Sequence, residues 1–429
     1  MKRLVLKFGG TSMASMPQIK RVAQKIAHEY QTHKEICVVV SAMAGVTDEL
    51  VQLCSEASLL HDTKEYDSVV STGEQVSAAL LSMCLQQLGL MSRSWLGWQI
   101  PIITNDHHGS AHIQRIETAH LEEAFQEQEI AIVSGFQGVT QKGRITTLGR
   151  GGSDVSAVAL AAALGASRCD IYTDVDGVYT ADPRIVPQAQ KINQISLSEM
   201  RMLAYMGAKV LHPRSVDLAD RHSVSVQVLS TFSDRIGSEM PGTLVIPDDQ
   251  SASLSRISGV AQLRALHVVR FNLTAGDNAF LEGFLDRLRQ NHVTILSLNE
   301  RVLHDKLTVT IGFLSKDLPK VEKILQNSKR DLGSKSYEIL LSYAKVSIIG
   351  MHLARKAEYI ERFINLFHEK KISYLHFSFS DQNLTALIPE DYVELVVRSL
   401  HQGFELDKSI NETSLLLQDE QSGYATKIR

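Results

Sequence analysis

Cysteine is scarce. Cys37, Cys54, Cys84 and Cys169 are widely spaced, and none stands in a Cys-x-x-Cys or Cys/His arrangement. That excludes a zinc ribbon or a disulfide framework and leaves them as small apolar residues in a reducing compartment. Basic runs are also missing: Lys+Arg 44 against Asp+Glu 48 gives a net charge of -4, with no cation cluster to neutralise a nucleic-acid backbone. No stretch of about 18 residues is apolar and uncharged, so no membrane-spanning helix is expected. The N-terminus, Met1-Lys2-Arg3-Leu4-Val5-Leu6-Lys7, breaks its apolar run at Lys7 and is not read as a secretory signal. These absences point to a cytoplasmic protein with no nucleic-acid and no membrane partner. Neighbouring His107 and His108 diverge on either a helix or a strand, and no metal-ligating side chains are assigned.

What is present is a globular composition, 44% apolar and 21% charged, in a chain long enough for about two or three domains. It is organised around Thr147-Leu148-Gly149-Arg150-Gly151-Gly152-Ser153-Asp154, which runs into the small-residue segment Val155 to Gly165. Three positions without side chains let the backbone approach a ligand, and the helix expected to follow offers unpaired N–H groups to an anion. Taken alone, the stretch reads more readily as a surface turn.

Upstream, the apolar run Arg3 to Phe8 ends in Gly9-Gly10-Thr11-Ser12, and Gln18 to Tyr30 has helical spacing. This is not a Walker loop, because Lys7 precedes the glycines; it would point across the turn at a phosphate held by their N–H groups. Glu35 to Ser41 has the continuous apolar character of a parallel strand covered on both faces, and ligand loops belong at the ends of such strands. Ser71-Thr72-Gly73-Glu74-Gln75 has a capping pattern, and spacing alone assigns Glu74 to its own helix N-terminus. The strand Cys169 to Val175 opens into Thr173 to Arg184, whose turn formers and aspartates suit either a charged, metal-bearing ligand or an ordinary turn. His212, before Pro213, is expected to be non-helical, and Val224 to Leu229 reads as the final strand. The alternation predicts an α/β fold, an open, mostly parallel sheet sandwiched by helices.

Residues 232–258, rich in Ser, Asp, Gly and Pro, read as a linker. Beyond it, strand, helix, two strands and helix occur twice, over 259–333 and over 334–429 with a C-terminal tail. The repetition predicts two ferredoxin-like α+β modules whose sheet edges and helix faces suit a homodimer.

Taken in order, Lys7-Phe8-Gly9-Gly10-Thr11-Ser12, Ser41-Ala42-Met43-Ala44-Gly45-Val46-Thr47, Ser71-Thr72-Gly73-Glu74-Gln75, Gly135-Phe136, Thr147 to Asp154, Thr173 to Arg184 and Gly207 to Pro213 resemble the motif set of the aspartokinases. The ordered set carries the resemblance, over residues 1–231, and the repeats match that family's paired ACT regulatory domains in position and element order. The resemblance implies the amino-acid kinase fold and ATP- and Mg²⁺-dependent phosphorylation of the L-aspartate β-carboxylate to 4-phospho-L-aspartate. That reaction stands at the head of lysine, threonine and methionine (diaminopimelate) biosynthesis.

The same resemblance implies that Lys7, Phe8, Gly9 and Gly10 handle the transferring phosphate. Lys7 and Asp154 would be the catalytic pair, with Asp154 orienting Lys7 or a metal-bound water. Ser41, Thr47, Glu74, Phe136, Arg150, Gly151, Gly152 and Ser153 would surround aspartate, Arg150 as a two-donor fork on the α-carboxylate and Glu74 opposite the α-ammonium. Thr173, Asp174, Tyr179, Arg184, Lys209 and Val210 would line the nucleotide site, Arg184 on phosphate. An acceptor carboxylate is ionised at pH 7 and needs no strong base, so positioning and charge neutralisation would supply the acceleration.

A kinase for glutamate, acetylglutamate or carbamate fits Glu74, the Arg150 to Asp154 stretch and the repeats less well. A degenerate amino-acid-sensing subunit would have no chemical reason to keep Lys7, Arg150 and Asp154 beside glycines. The departures from the family lie in the repeats. Where ACT modules carry an Asp-x-Pro-Gly-like turn, this chain reads Ala275-Gly276-Asp277-Asn278-Ala279 and His352-Leu353-Ala354-Arg355-Lys356-Ala357. The second module also offers Phe377-Ser378-Phe379-Ser380-Asp381 in place of a Ser/Thr-Ser-Glu-Ile-like segment. A lysine or threonine effector is thereby put in doubt, and a purely structural, dimer-holding role is an equal alternative.

Overall fold

The computed structural model describes residues 3–58, 61–250, 257–274, 276–304, 306–328 and 336–408. Residues 409–429, at the end of the stretch expected to hold the second module and the C-terminal tail, and Ala275 of the first departing turn lie outside them. The described residues form two units. One holds the chain up to Tyr179, Lys191–Tyr205 and the stretch from Lys209 to 250; the other holds Thr180–Gln190, Met206–Ala208 and the stretch from 257.

The first unit opens with β1 (Leu4–Phe8), α1 (Met16–Thr32), β2 (Ile36–Val40), α2 (Val46–Ala57), α3 (Thr63–Val70), α4 (Thr72–Gln87) and β3 (Ser92–Trp95). β4 (Ile102–Thr104), β5 (Ile113–Ile116), α5 (Ala119–Gln126), β6 (Ile130–Ser134), β7 (Gln137–Thr140), β8 (Ile145–Thr147) and α6 (Gly152–Ala163) follow. It continues through β9 (Arg168–Thr173), β10 (Val178–Tyr179), β11 (Lys191–Ile192), β12 (Gln194–Ser196), α7 (Leu197–Tyr205), α8 (Pro213–Arg221), β13 (Val226–Ser230) and β14 (Thr243–Ile246). Eight strands form one sheet in the order β12-β14-β13-β9-β1-β2-β6-β3. Every neighbouring pair in it is parallel except β13 with β14.

The runs that fill β1, β2 and β6 are buried at every position, as a sheet with helices on both faces requires. Alternation then sorts their side chains. Leu4, Leu6 and Phe8 of β1 pack with Ile19, Val22 and Ile26 of α1 and with Ala78, Leu81 and Leu85 of α4. Lys7 therefore projects from the opposite face, towards α6. α6 is buried almost all round, and its run of alanines permits that close approach.

Val224 to Leu229 does not supply the last strand. Within the expected linker, β14 joins the sheet, antiparallel to β13 and parallel to β12. Its four residues are flanked by Pro241-Gly242 and Pro247-Asp248, turn formers that hide a short strand in the composition.

The second unit contains β15 (Ile257–Thr274), α9 (Asn278–Gln290), β16 (Ser297–Leu303), β17 (Lys306–Leu314) and α10 (Leu318–Asn327). The pattern recurs as β18 (Ser336–Gly350), α11 (Ala357–Glu369), β19 (His376–Phe379), β20 (Asn383–Pro389) and α12 (Val393–Gly403). The two repeats share one antiparallel sheet, ordered β16-β17-β15-β18-β20-β19, because their long first strands pair with each other at its centre. Phe271, Phe284 and Phe313 lie in the core of the first repeat, and Phe363, Phe367 and Val397 in that of the second. Ala181, Ile185 and Val186 are buried in the second of these cores, so the expected nucleotide loop divides between the units after Tyr179. Among the described residues no helix is long and apolar enough to cross a membrane.

Candidate active site

Four adjacent parallel strands end level with one another. Tyr172 of β9, Phe8 of β1, Val40 of β2 and Ser134 of β6 form one row across the sheet. The next residue in each chain segment is Thr173, Gly9, Ser41 and Gly135. Gly9 N–H donates to Tyr172 O (3.3 Å), Ser41 N–H to Phe8 O (3.0 Å) and Gly135 N–H to Val40 O (3.0 Å), so the loops leave the sheet tied to their neighbours. Loops at the carboxyl ends of parallel strands form the crevice in which ligands of open α/β sheets bind.

Into this crevice Lys7 projects from β1, its Nζ 2.6 Å from Asp154 Oδ1, with the two side chains only 10% and 14% exposed. The Lys7 ammonium also lies beside Gly9, where an added Cβ would come within 3.3 Å of it. Asp154 stands in the first turn of α6, whose N-cap, Gly151, is left-handed at φ 72° and supplies no capping side chain. A Cβ on Gly151 would fall 2.2 Å from the His212 ring, so glycine is required there by both backbone angle and space. Ser153 is buried against Gly135, and the Phe136 ring meets Gly152. Phe136 itself is left-handed (φ 67°), its N–H donating to Ser156 Oγ (3.1 Å) and its carbonyl accepting from Leu148 N–H (2.8 Å). Arg150 is exposed on the same loop.

Glu74 bears out only half of the capping pattern. It does stand in the first turn of α4, but its Oε1 accepts from the N–H of Ala42 (3.2 Å), in the loop after β2. Ser71 does not cap either; its hydroxyl donates to Ser68 O (3.2 Å). Glu74 is buried and its Oε2 has no hydrogen-bond partner among the described residues. Burial pushes the carboxyl up to about 7, against the pull of the Ala42 N–H and of its own backbone N–H. A buried carboxylate oxygen without a donor is a place for a cation. Ser41 belongs to the loop that Glu74 grips, and Thr47, half-buried, stands in the first turn of α2, which follows it.

The expected nucleotide residues are less tightly gathered. Thr173 Oγ1 donates to Asp174 Oδ1 (3.0 Å), and Tyr179 Oη to Asp176 Oδ1 (2.9 Å). Lys209 is exposed and Val210 half-buried, just ahead of α8. Arg184 belongs to the second unit and is paired with Asp182, Nη2 to Oδ2 at 2.8 Å and Nε to Oδ1 at 3.0 Å.

Sequence reasoning missed the site contacts of His212 and overlooked Arg214. His212, extended before Pro213 as expected, N-caps α8 by accepting the Arg214 N–H at Nδ1 (3.3 Å). Burial lowers its pKa, with nearby Arg214 and Arg150 acting in the same direction and Asp154 and Asp217 opposing. Arg214 in turn donates to Leu148 O (2.5 Å) and Ala111 O (3.0 Å), bracing the stretch that carries Arg150. The His-Pro helix start was the available signal.

Lys7 at a strand end, paired with Asp154 at the entrance of α6 on one face of a mostly parallel sheet, makes a charged ligand site in an open α/β fold. The model of the Amino acid kinase family matches residues 2–230. An aspartokinase of Pseudomonas aeruginosa is 38% identical over 410 residues, covering 95% of this chain and 98% of its own. The structure of E. coli aspartokinase III in complex with aspartate and ADP (R-state) has a TM-score of 0.76 at 26% identity, covering 94% of this chain and 99% of that one. The same enzyme in complex with lysine and aspartate (T-state) gives 0.73 at 26% identity, covering 94% and 100%. The chain belongs to the aspartate kinases, phosphotransferases built from an amino-acid kinase unit followed by ACT-like repeats.

Proposed function

We propose that this chain transfers the γ-phosphoryl group of ATP to the β-carboxylate of L-aspartate, giving 4-phospho-L-aspartate and ADP. The observation that carries the reading is the Lys7–Asp154 pair at the aligned strand ends, on the same crevice as the unpaired Glu74 oxygen. A β-carboxylate oxygen bonds to the γ-phosphorus as the bond to the β,γ-bridging oxygen breaks, its electron pair leaving with ADP. Both reactants are anionic, so Lys7 neutralises the transferring oxygens while Asp154 holds the ammonium in place. Glu74 receives the aspartate ammonium, Arg150 clamps the α-carboxylate, and Ser41, Thr47, Phe136, Gly151, Gly152 and Ser153 complete the amino-acid pocket.

Thr173, Asp174, Tyr179, Lys209 and Val210 line the nucleotide side, and the reading does not depend on Arg184. Among the described residues no three His, Cys, Asp or Glu side chains gather as a metal cage. Mg²⁺ arriving on the nucleotide takes one or two carboxylates together with phosphate oxygens, and Asp154 or Asp174 would be its protein contact. Bound there, Mg²⁺ supplies further neutralisation of the phosphates.

The product would enter lysine, threonine and methionine synthesis in the cytoplasm. The second unit would join two copies through its sheet, whose edge strand β16 leaves Leu298, Val302 and Leu303 exposed. Lysine or threonine is the effector class to test there. The deciding assay offers the protein L-aspartate, ATP, Mg²⁺ and hydroxylamine, where aspartyl hydroxamate is expected. Hydroxamate from glutamate but none from aspartate would overturn the substrate reading. Titrating lysine and threonine into the same assay separates a regulated enzyme, with sigmoidal loss of rate, from one whose repeats are only structural.

A further inference from the structure

Outside the pocket, Asp67 is completely buried in α3 and its carboxylate gathers donors from two other segments. Oδ1 accepts from Thr147 Oγ1 (2.5 Å) and Gly109 N–H (3.0 Å), and Oδ2 from His108 Nδ1 (2.7 Å) and the same Gly109 N–H (3.1 Å). Each of these leads directly to a substrate grip. Thr147 ends β8, three residues before Arg150. The Gly109 carbonyl lies so close to Gly149 that a Cβ there would come within 3.2 Å of it, so the 107–110 loop forms a wall for the residue preceding Arg150. Asp67 itself is tied through its carbonyl to Ser71 N–H (3.2 Å) at the α3–α4 junction, three residues before Glu74. One buried carboxylate thus links the segment bearing Glu74 to the segment bearing Arg150, and three donors, one of them an imidazole, hold it firmly.

We propose that Asp67 is a positioning residue that sets the separation between Glu74 and Arg150, and with it the affinity for the amino-acid substrate. The inference rests on the reading of those two side chains as the grips for the aspartate ammonium and α-carboxylate. A grip displaced by a fraction of an ångström weakens a substrate held at both ends, while the nucleotide side is left alone.

The test is kinetic, with a binding arm that needs no turnover. In Asp67→Asn the KM for aspartate should rise about tenfold or more, with the KM for ATP and kcat at saturating aspartate within about threefold of wild type. Thr147→Val, which removes one donor, should shift in the same direction, and Thr147→Ser, which keeps the hydroxyl, should restore the wild-type value even if Asp67→Asn folds poorly. Calorimetry with L-aspartate and with ADP should show the loss for aspartate alone. Aspartate and ADP affinities that fall together, or Thr147→Val indistinguishable from Thr147→Ser, would reduce the cluster to a structural latch and overturn the proposal. A wild-type protein that binds ADP but no aspartate would instead remove the reading of the pocket, and the inference with it.

Discussion

Glu74 should be destabilising before substrate arrives, and Glu74→Gln measures by how much. In the ligand-free protein burial lifts this carboxyl from the usual 4.5 to about 7. The folded chain therefore holds the proton more tightly than the unfolded chain. Stability from the protonated form is fully present below the unfolded value and is lost as pH rises through the folded one. From 4.5 to about 7 this amounts to about 3 kcal/mol, at about 1.4 kcal/mol per pH unit, as an upper bound on the cost of ionised Glu74 above neutrality. Glutamine can still accept the Ala42 N–H, but it places an amide NH₂ where Oε2 lacks a partner, which withholds part of the gain. A net stabilisation of about 1–2 kcal/mol at pH 8 is expected, raising the unfolding midpoint of a unit this size by roughly 3–6 °C. The gain should shrink as the pH is lowered towards 5. Differential scanning fluorimetry across that range, with and without L-aspartate, reads both halves of the argument, because aspartate should protect wild type and not the variant. A variant less stable than wild type at pH 8, or one that aspartate protects equally, would refute it.

Other perturbations separate chemistry from architecture. Lys7→Met should lower kcat in the hydroxamate assay by about 10²–10³-fold, the range for losing a group that stabilises developing charge. Because Asp154 acts through Lys7, adding Asp154→Asn to that variant should cost little more, and losses that multiply would show the two acting independently. Gly151→Ala introduces a Cβ at φ 72° against the His212 ring. A loss of about 3 kcal/mol or more in urea unfolding is expected, together with weakened aspartate binding, and a loss below about 1 kcal/mol would contradict the packing described.

The sheet was legible where the chain is locally explicit. Continuous apolar runs announced β1, β2 and β6, and glycines at their ends announced the loops. Lys7 could be placed ahead of its glycines, although its partner Asp154, far along the chain, came only with the family resemblance. The tie from Glu74 to Ala42 was hidden because a capping pattern is a local signal, whereas Ala42 lies on another loop. Asp67 was invisible for the same reason, since it is satisfied by residues 41, 42 and 80 positions away. β14 was obscured by turn formers on both sides of a four-residue strand. The two repeats were readable as repeats, but their shared sheet depends on the register between β15 and β18, which no periodicity encodes. The division of the Thr173 to Arg184 loop was equally hidden, because Ala181, Ile185 and Val186 are too few to signal a change of core.

The pairing of β15 with β18 makes the repeats inseparable as building blocks. Leu266 to Thr274 of β15 binds β17 along one side, and most of β15 binds β18 along the other, so a chain ended after the first repeat would bare a long, apolar strand edge. Such an edge is a template for aggregation. Grafting regulation from a relative onto this protein would therefore require moving both repeats together, along with the Thr180–Gln190 segment whose Ala181, Ile185 and Val186 fill the second core, and not cutting at the apparent boundary between the repeats.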